Sequence, residues 1–119
     1  MSVPNDDLLD LAVIGEFRQV PGEKGKSLFD ELRELYSQNA PSRLNEIRRT
    51  LTDPAKLAFH AHALKSMSLN MGARGMVELA QRLEAMGRSG KVDGALELLE
   101  QLQSVFERTQ KELLALVGE

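Results

Sequence analysis

Both histidines of the 119-residue chain fall in one stretch, KLAFHAHALKSMSLNMGARG, positions 56–75. At about 100° per residue on an α-helix, Ala55, Ala58, Lys65, Ser66 and Leu69 all lie within about 60° of His62. Leu57, Ala61, Leu64, Ser68 and Met71 fall on the other side, which is the natural core face. His62 is therefore expected to face solvent. Ala55, Ala58 and Ser66 are small, so the imidazole stands clear and a second protein surface can reach it. Lys65, three residues on, brings an ammonium to the same face. A neutral imidazole already holds a lone pair on one ring nitrogen and can attack phosphorus without a general base. Once phosphorylated it carries roughly two negative charges, which a neighbouring lysine offsets by a charge-assisted contact.

Other chemistries fit the residues less well. His60 falls about 160° from His62, at the edge of the core face, and reads as a partly buried packing residue. Helical zinc ligands favour an i, i+4 spacing rather than i, i+2, and there is no cysteine to complete a shell. Ser66 and Ser68 lack the strained turn and positioned base of a serine hydrolase. A paired-carboxylate glycosidase needs a cleft that a slim helical chain does not offer. No glycine-rich or Walker-type loop is present to hold ATP. Arg74 and Arg82 read as solvated and the five methionines as core filler. Gly72 reads as the stop of the helix rather than a phosphate contact. Leu69 is an apolar residue on the solvent stripe. It either packs under an N-terminal helix or belongs to a docking patch.

The elements that must position these residues are all helical. There are four Phe, one Tyr and no Trp, and the β-branched residues never form alternating runs. Breakers mark the segments. The first runs over about 10–20, opened by Asp10 as N-cap and stopped by Pro21. The second covers about 26–51, as one helix kinked near Pro41 or as two. The third starts at Asp53-Pro54, a cap followed by Pro at the first helical position, and runs to Met71. The fourth, about 73–88, carries Met76, Leu79, Ala80, Leu83 and Met86 on one stripe. The fifth spans about 92–117. Short connections force sequential helices to run antiparallel, which predicts an all-α, up-and-down four-helix bundle with an additional short N-terminal helix.

The segment HALKSMSLNMGA, His62 to Ala73, resembles the signature of the histidine-containing phosphotransfer (HPt) domains of bacterial-type multistep phosphorelays. In these a phosphorylatable His is followed by Leu, Lys, a small residue and, ten positions on, Gly. His62, Leu64, Lys65, Ser66 and Gly72 match. The position of Ser66 is most often Gly in the family. LDLAVIGEFRQV resembles the family's first helix, LFDELRELYSQNAPSRLNEIRRTL its second and VELAQRLEAMGRSG its fourth. The resemblance implies a phosphorelay intermediate that accepts a phosphoryl group on His62 from a receiver-domain aspartate and passes it to another receiver. Lys65 would stabilise the phosphate, and Ala58, Ser66 and Leu69 would form the docking surface. The carrier would have no kinase activity or ATP site of its own. It would bind no cofactor, the receiver partner bringing the Mg²⁺. The alternative is a helical adaptor that docks receivers without being phosphorylated.

Partners implied are response-regulator receiver domains and a hybrid sensor histidine kinase. With 15 basic and 18 acidic residues the chain lacks the basic excess of a nucleic-acid binder. No apolar run reaches the roughly 18 residues of a membrane span. The size fits a single domain over residues 1–119, expected to be monomeric and cytoplasmic.

Overall fold

The computed structural model describes Pro4 and residues 7–117. Five helices follow in order: α1 (Leu11–Gln19), α2 (Leu28–Arg49), α3 (Pro54–Met71), α4 (Arg74–Ser89) and α5 (Ala95–Ala115). The starts of the first three are written in the sequence. The side chains of Asp10, Ser27 and Asp53 accept from the backbone N–H of Val13, Asp30 and Lys56, satisfying donors that a first helical turn leaves unpaired. In α2, Asp30 and Glu31 sit in the first turn and Arg48 and Arg49 in the last, matching the helix dipole at both ends.

Helix α2 is one helix through Pro41. The missing N–H removes one backbone bond, while the flanking Ala40 and Leu44 are buried and pin both halves to the core. Helix α5 starts at Ala95 rather than near residue 92, because the Ala95 N–H donates to Val92 O (3.0 Å) and closes a turn first.

Helix α2 packs on α3, α3 on α4, α4 on α5, and α5 returns to α2. That closed order is the four-helix bundle, and its extents of 45 × 26 × 18 Å leave a slim rod. The core is built from the expected stripes, among them Leu57, Ala61, Leu64 and Met71 of α3 and Met76, Leu79, Ala80 and Leu83 of α4. A polar pair lies inside it: the hydroxyls of Tyr36 and Ser68 are 2.7 Å apart. Burial pushes the Tyr36 pKa up, against the pull of the Ser68 hydrogen bond, so the phenol stays protonated.

Helix α1 packs on α2, and the segment before it crosses the α3–α4 corner. Asp10 N–H donates to Gly72 O (2.7 Å) and Gly75 N–H to Leu8 O (3.2 Å). Leu8 and Leu9 are buried there, outside the core expected from the sequence.

Candidate functional site

The α3 stripe lies where helical phase puts it. Ala55, His62, Ser66 and Leu69 are exposed, and Ala58 and Lys65 are half-buried. The helix ends at Gly72, whose φ of +78° is a left-handed conformation that favours glycine. A Cβ there would also stand 3.0 Å from Ile14 Cγ1, so Gly72 both terminates α3 and admits α1.

Leu69 is 62% exposed, so it is not packed under α1. It lines a shallow groove with Asp10, Gly72, Ala73, Arg74 and Val77. Arg74 and Arg82 are exposed, and Arg82 pairs with Glu78. Met71 and Met76 are buried, with Met67 and Met86 packed against the core. The fifth methionine, Met1, lies outside the described residues.

The residue that organises the site is one that helical phase on α3 cannot reveal. Glu84 of α4 is 4% exposed and meets three donors. His62 Nδ1 lies 2.9 Å from its Oε2, Lys65 Nζ 2.7 Å from its Oε1, and Arg88 Nη2 2.6 Å from its Oε2. Burial is the largest single influence on this carboxyl and pushes its pKa up. The hydrogen bonds from Lys65 and His62, with the charges of Lys65 and Arg88, together outweigh it and hold the group below the ordinary carboxylate range.

An ionised carboxylate can only accept, so the proton of a neutral His62 ring sits on Nδ1. The lone pair is then on Nε2, which has no partner among the described residues, on a side chain that is 54% exposed. Glu84 thus decides which ring nitrogen stays open, and Lys65 and Arg88 share its carboxylate with the ring.

Helices α3 and α4 must approach closely for these contacts to form, and Gly87 allows it. A Cβ at Gly87 would stand 2.7 Å from both Ala58 N and Pro54 O. Ala58 therefore lies at the helix–helix contact as well as on the stripe. The sequence held one clue to Glu84: an acidic residue on the rim of the apolar α4 stripe, one turn before Gly87.

His60 differs in every respect. Its side chain is mostly enclosed, and Arg43 Nη1 of α2 donates to its Nδ1 at 2.8 Å. A guanidinium can only donate, so His60 is neutral with its proton on Nε2, 3.9 Å from Glu46. It is the partly buried packing residue expected. Among the described residues no cluster of three or more His, Cys, Asp or Glu could hold a metal ion. No helix there is long and apolar enough to cross a membrane.

A slim helical bundle that presents one half-exposed imidazole, held by a buried carboxylate that also binds two cations, is suited to meeting the surface of a partner. The sequence comparison agrees: the profile of the Hpt domain matches residues 31–112, and the chain belongs to that family. It is a phosphorelay histidine-phosphotransfer intermediate.

Among solved structures, the chain is similar to histidine-containing phosphotransfer protein B (HptB) from Pseudomonas aeruginosa PAO1. The TM-score is 0.81 at 25% identity, covering 94% of this chain and 93% of that one. The fold is also that of the histidine-containing phosphotransfer protein MtHPt2 from Medicago truncatula, with TM-score 0.78 at 18% identity, covering 92% and 79% of the two chains. No curated protein sequence matches significantly.

Proposed function

We propose that His62 is the phosphoryl carrier of this protein, accepting the group from a receiver-domain aspartyl phosphate and returning it to the aspartate of another receiver. The observation that carries the assignment is the Nδ1–Glu84 hydrogen bond on a half-exposed ring. It leaves Nε2 as an accessible nucleophile needing no further activation. In the forward step the Nε2–P bond forms as the P–O bond to the aspartate breaks, and the aspartate leaves as carboxylate. The ring keeps its Nδ1 proton and becomes cationic, with the Glu84 carboxylate as counterion. In the reverse step the ring leaves as neutral imidazole, a far better leaving group than imidazolate.

Lys65 and Arg88 are held against Glu84 in the resting state, on the same carboxylate that holds the ring. They offset the charge of the phosphoryl group as it arrives. Mg²⁺ belongs to the receiver, where it neutralises the transferring group. The chain supplies neither kinase activity nor an ATP site. It acts as a monomer, with Ala58, Ser66 and Leu69 on the docking side. A hybrid sensor histidine kinase stands upstream.

The test is transfer from a panel of phosphorylated receiver domains to the wild type and to His62→Gln, with detection of base-stable, acid-labile phosphohistidine. Label on the wild type alone supports the assignment. Label retained by His62→Gln, or receiver binding without any label, refutes it and favours the adaptor reading.

A further inference from the structure

Large apolar side chains left in water are informative when they cluster, because each forgoes the burial that the others obtain. Eight remain exposed among the described residues; two of them lie on α3 on either side of His62, Phe59 (67%) and Leu69 (62%), and a third, Leu11 (65%), begins α1. Phe59 lies one turn before His62 and Leu69 two turns after it. Leu11 opens α1 at the point where Asp10 N–H is bonded to Gly72 O.

The other flank of the histidine is polar. Lys65 and Arg88 there outnumber the single carboxylate of Glu84. The ring thus sits on a border between an apolar strip and a net cationic rim. Such a border fits a partner that brings a dianionic aspartyl phosphate in a polar pocket with apolar surface beside it.

Phe59 is also braced. Its ring meets that of His60 edge to face, with centroids 5.2 Å apart and planes at 80°. His60 is in turn held from α2 by Arg43 at 2.8 Å. An exposed aromatic fixed before binding loses less rotamer freedom on docking, the usual property of an interface anchor. Helical side chains lean towards the N-terminus of their helix. This lean is common to Phe59, His62 and Leu69, so helix rise decides their spacing, and Phe59, about 4.5 Å of rise from His62 against about 10.5 Å for Leu69, is the nearer of the two.

Resting on the assignment of His62 as carrier, we propose that Phe59, preset by the Arg43–His60 brace, is the anchor on which receiver domains dock and the residue that sets how well each one is accepted. His60 is then a positioning residue for docking, with no part in the chemistry.

The test uses the receiver from the panel that transfers fastest to the wild type, with phosphoramidate as a small donor that needs no docking surface. Phe59→Ala is expected to raise the KM for the phosphorylated receiver at least tenfold. Its kcat, its phosphoramidate labelling and its thermal midpoint should stay unchanged. His60→Ala should raise KM about threefold with labelling intact, and Leu114→Ala, an exposed leucine on α5, should change nothing. A KM within twofold of wild type for Phe59→Ala overturns the inference and leaves His62 as carrier. Loss of phosphoramidate labelling in Phe59→Ala also overturns it, since the side chain would then act on the chemistry. Phosphate accepted by His62→Gln, or no label on the wild type from any donor, sinks the carrier assignment and the anchor with it.

Discussion

Replacing Glu84 by glutamine keeps the shape of the side chain and an oxygen facing His62 Nδ1, and removes the charge. For a neutral ring, whose Nδ1–H only donates to that oxygen, this matters little. When phosphorus bonds to Nε2 the ring becomes cationic, and the 2.9 Å contact to Glu84 becomes an ion pair. Two unit charges at that separation attract by about 1.4 kcal/mol even at a water-like dielectric constant near 80. That corresponds to about a tenfold rate effect. The enclosure of Glu84 lowers the local dielectric and makes tenfold a lower figure. The cost in stability is smaller, about 1 kcal/mol, because Arg88 and His62 remain largely solvated and Lys65 can turn outward. The assay is single-turnover phosphoryl transfer from a saturating phosphorylated receiver to His62, the step in which the ring becomes cationic, with nitrogen-15 NMR of the imidazole to follow the tautomer. Glu84→Gln should transfer at least about tenfold more slowly with unchanged receiver affinity. A rate within twofold of wild type would refute the counterion role.

Three further outcomes follow from the same contacts. Gly87→Ala places a methyl against α3 backbone, 2.7 Å from Ala58 N and Pro54 O, and should cost about 1–3 kcal/mol in chemical denaturation. It should also slow transfer by drawing Glu84 from His62, and a loss under 0.5 kcal/mol would show that the helices part freely. Lys65→Ala should slow transfer or shorten the phosphohistidine lifetime and, by taking a donor from the enclosed Glu84 carboxylate, cost about 1 kcal/mol; unchanged kinetics would leave Lys65 only a structural partner of Glu84. The carboxyl of Glu84 is held below its ordinary value of 4.5, so its contribution to stability is fully present above that value. It is lost as the pH falls through 4.5 towards the lower folded-state pKa. Urea midpoints of wild type and Glu84→Gln should therefore converge as the pH falls below 4.5, and a constant gap would contradict the shift.

Local features carried most of the fold. Caps such as Ser27 and Asp53-Pro54, and the left-handed stop at Gly72, depend on interactions within a few residues, so a linear reading can find them. The same holds for the solvent face of α3: His62, Lys65, Ser66 and Leu69 follow from 3.6-residue periodicity alone. Boundaries shifted where a turn intervened, as at Val92–Ala95. Pro41 left two outcomes open because the loss of one hydrogen bond is offset only by burial on α2, which a sequence does not measure.

What lies across helices was decided by tertiary structure. Glu84 is 22 residues from His62, and its contact depends on how α4 is rotated and how closely Gly87 lets it approach. Both are properties of packed surfaces. Leu8 and Leu9 are buried only because the chain before α1 crosses the α3–α4 corner. Phe59 lies about 60° from His62 on the solvent face by phase alone, but its brace by His60 and Arg43 comes from the packing of α2. The sequence by itself determined that one histidine would face water with a lysine beside it, since a single helix sets that geometry. Only the packing of α4 and α2 against α3 decided which nitrogen of that histidine is free to react and what surrounds it, because hydrogen bonds between helices require distances that no periodicity encodes.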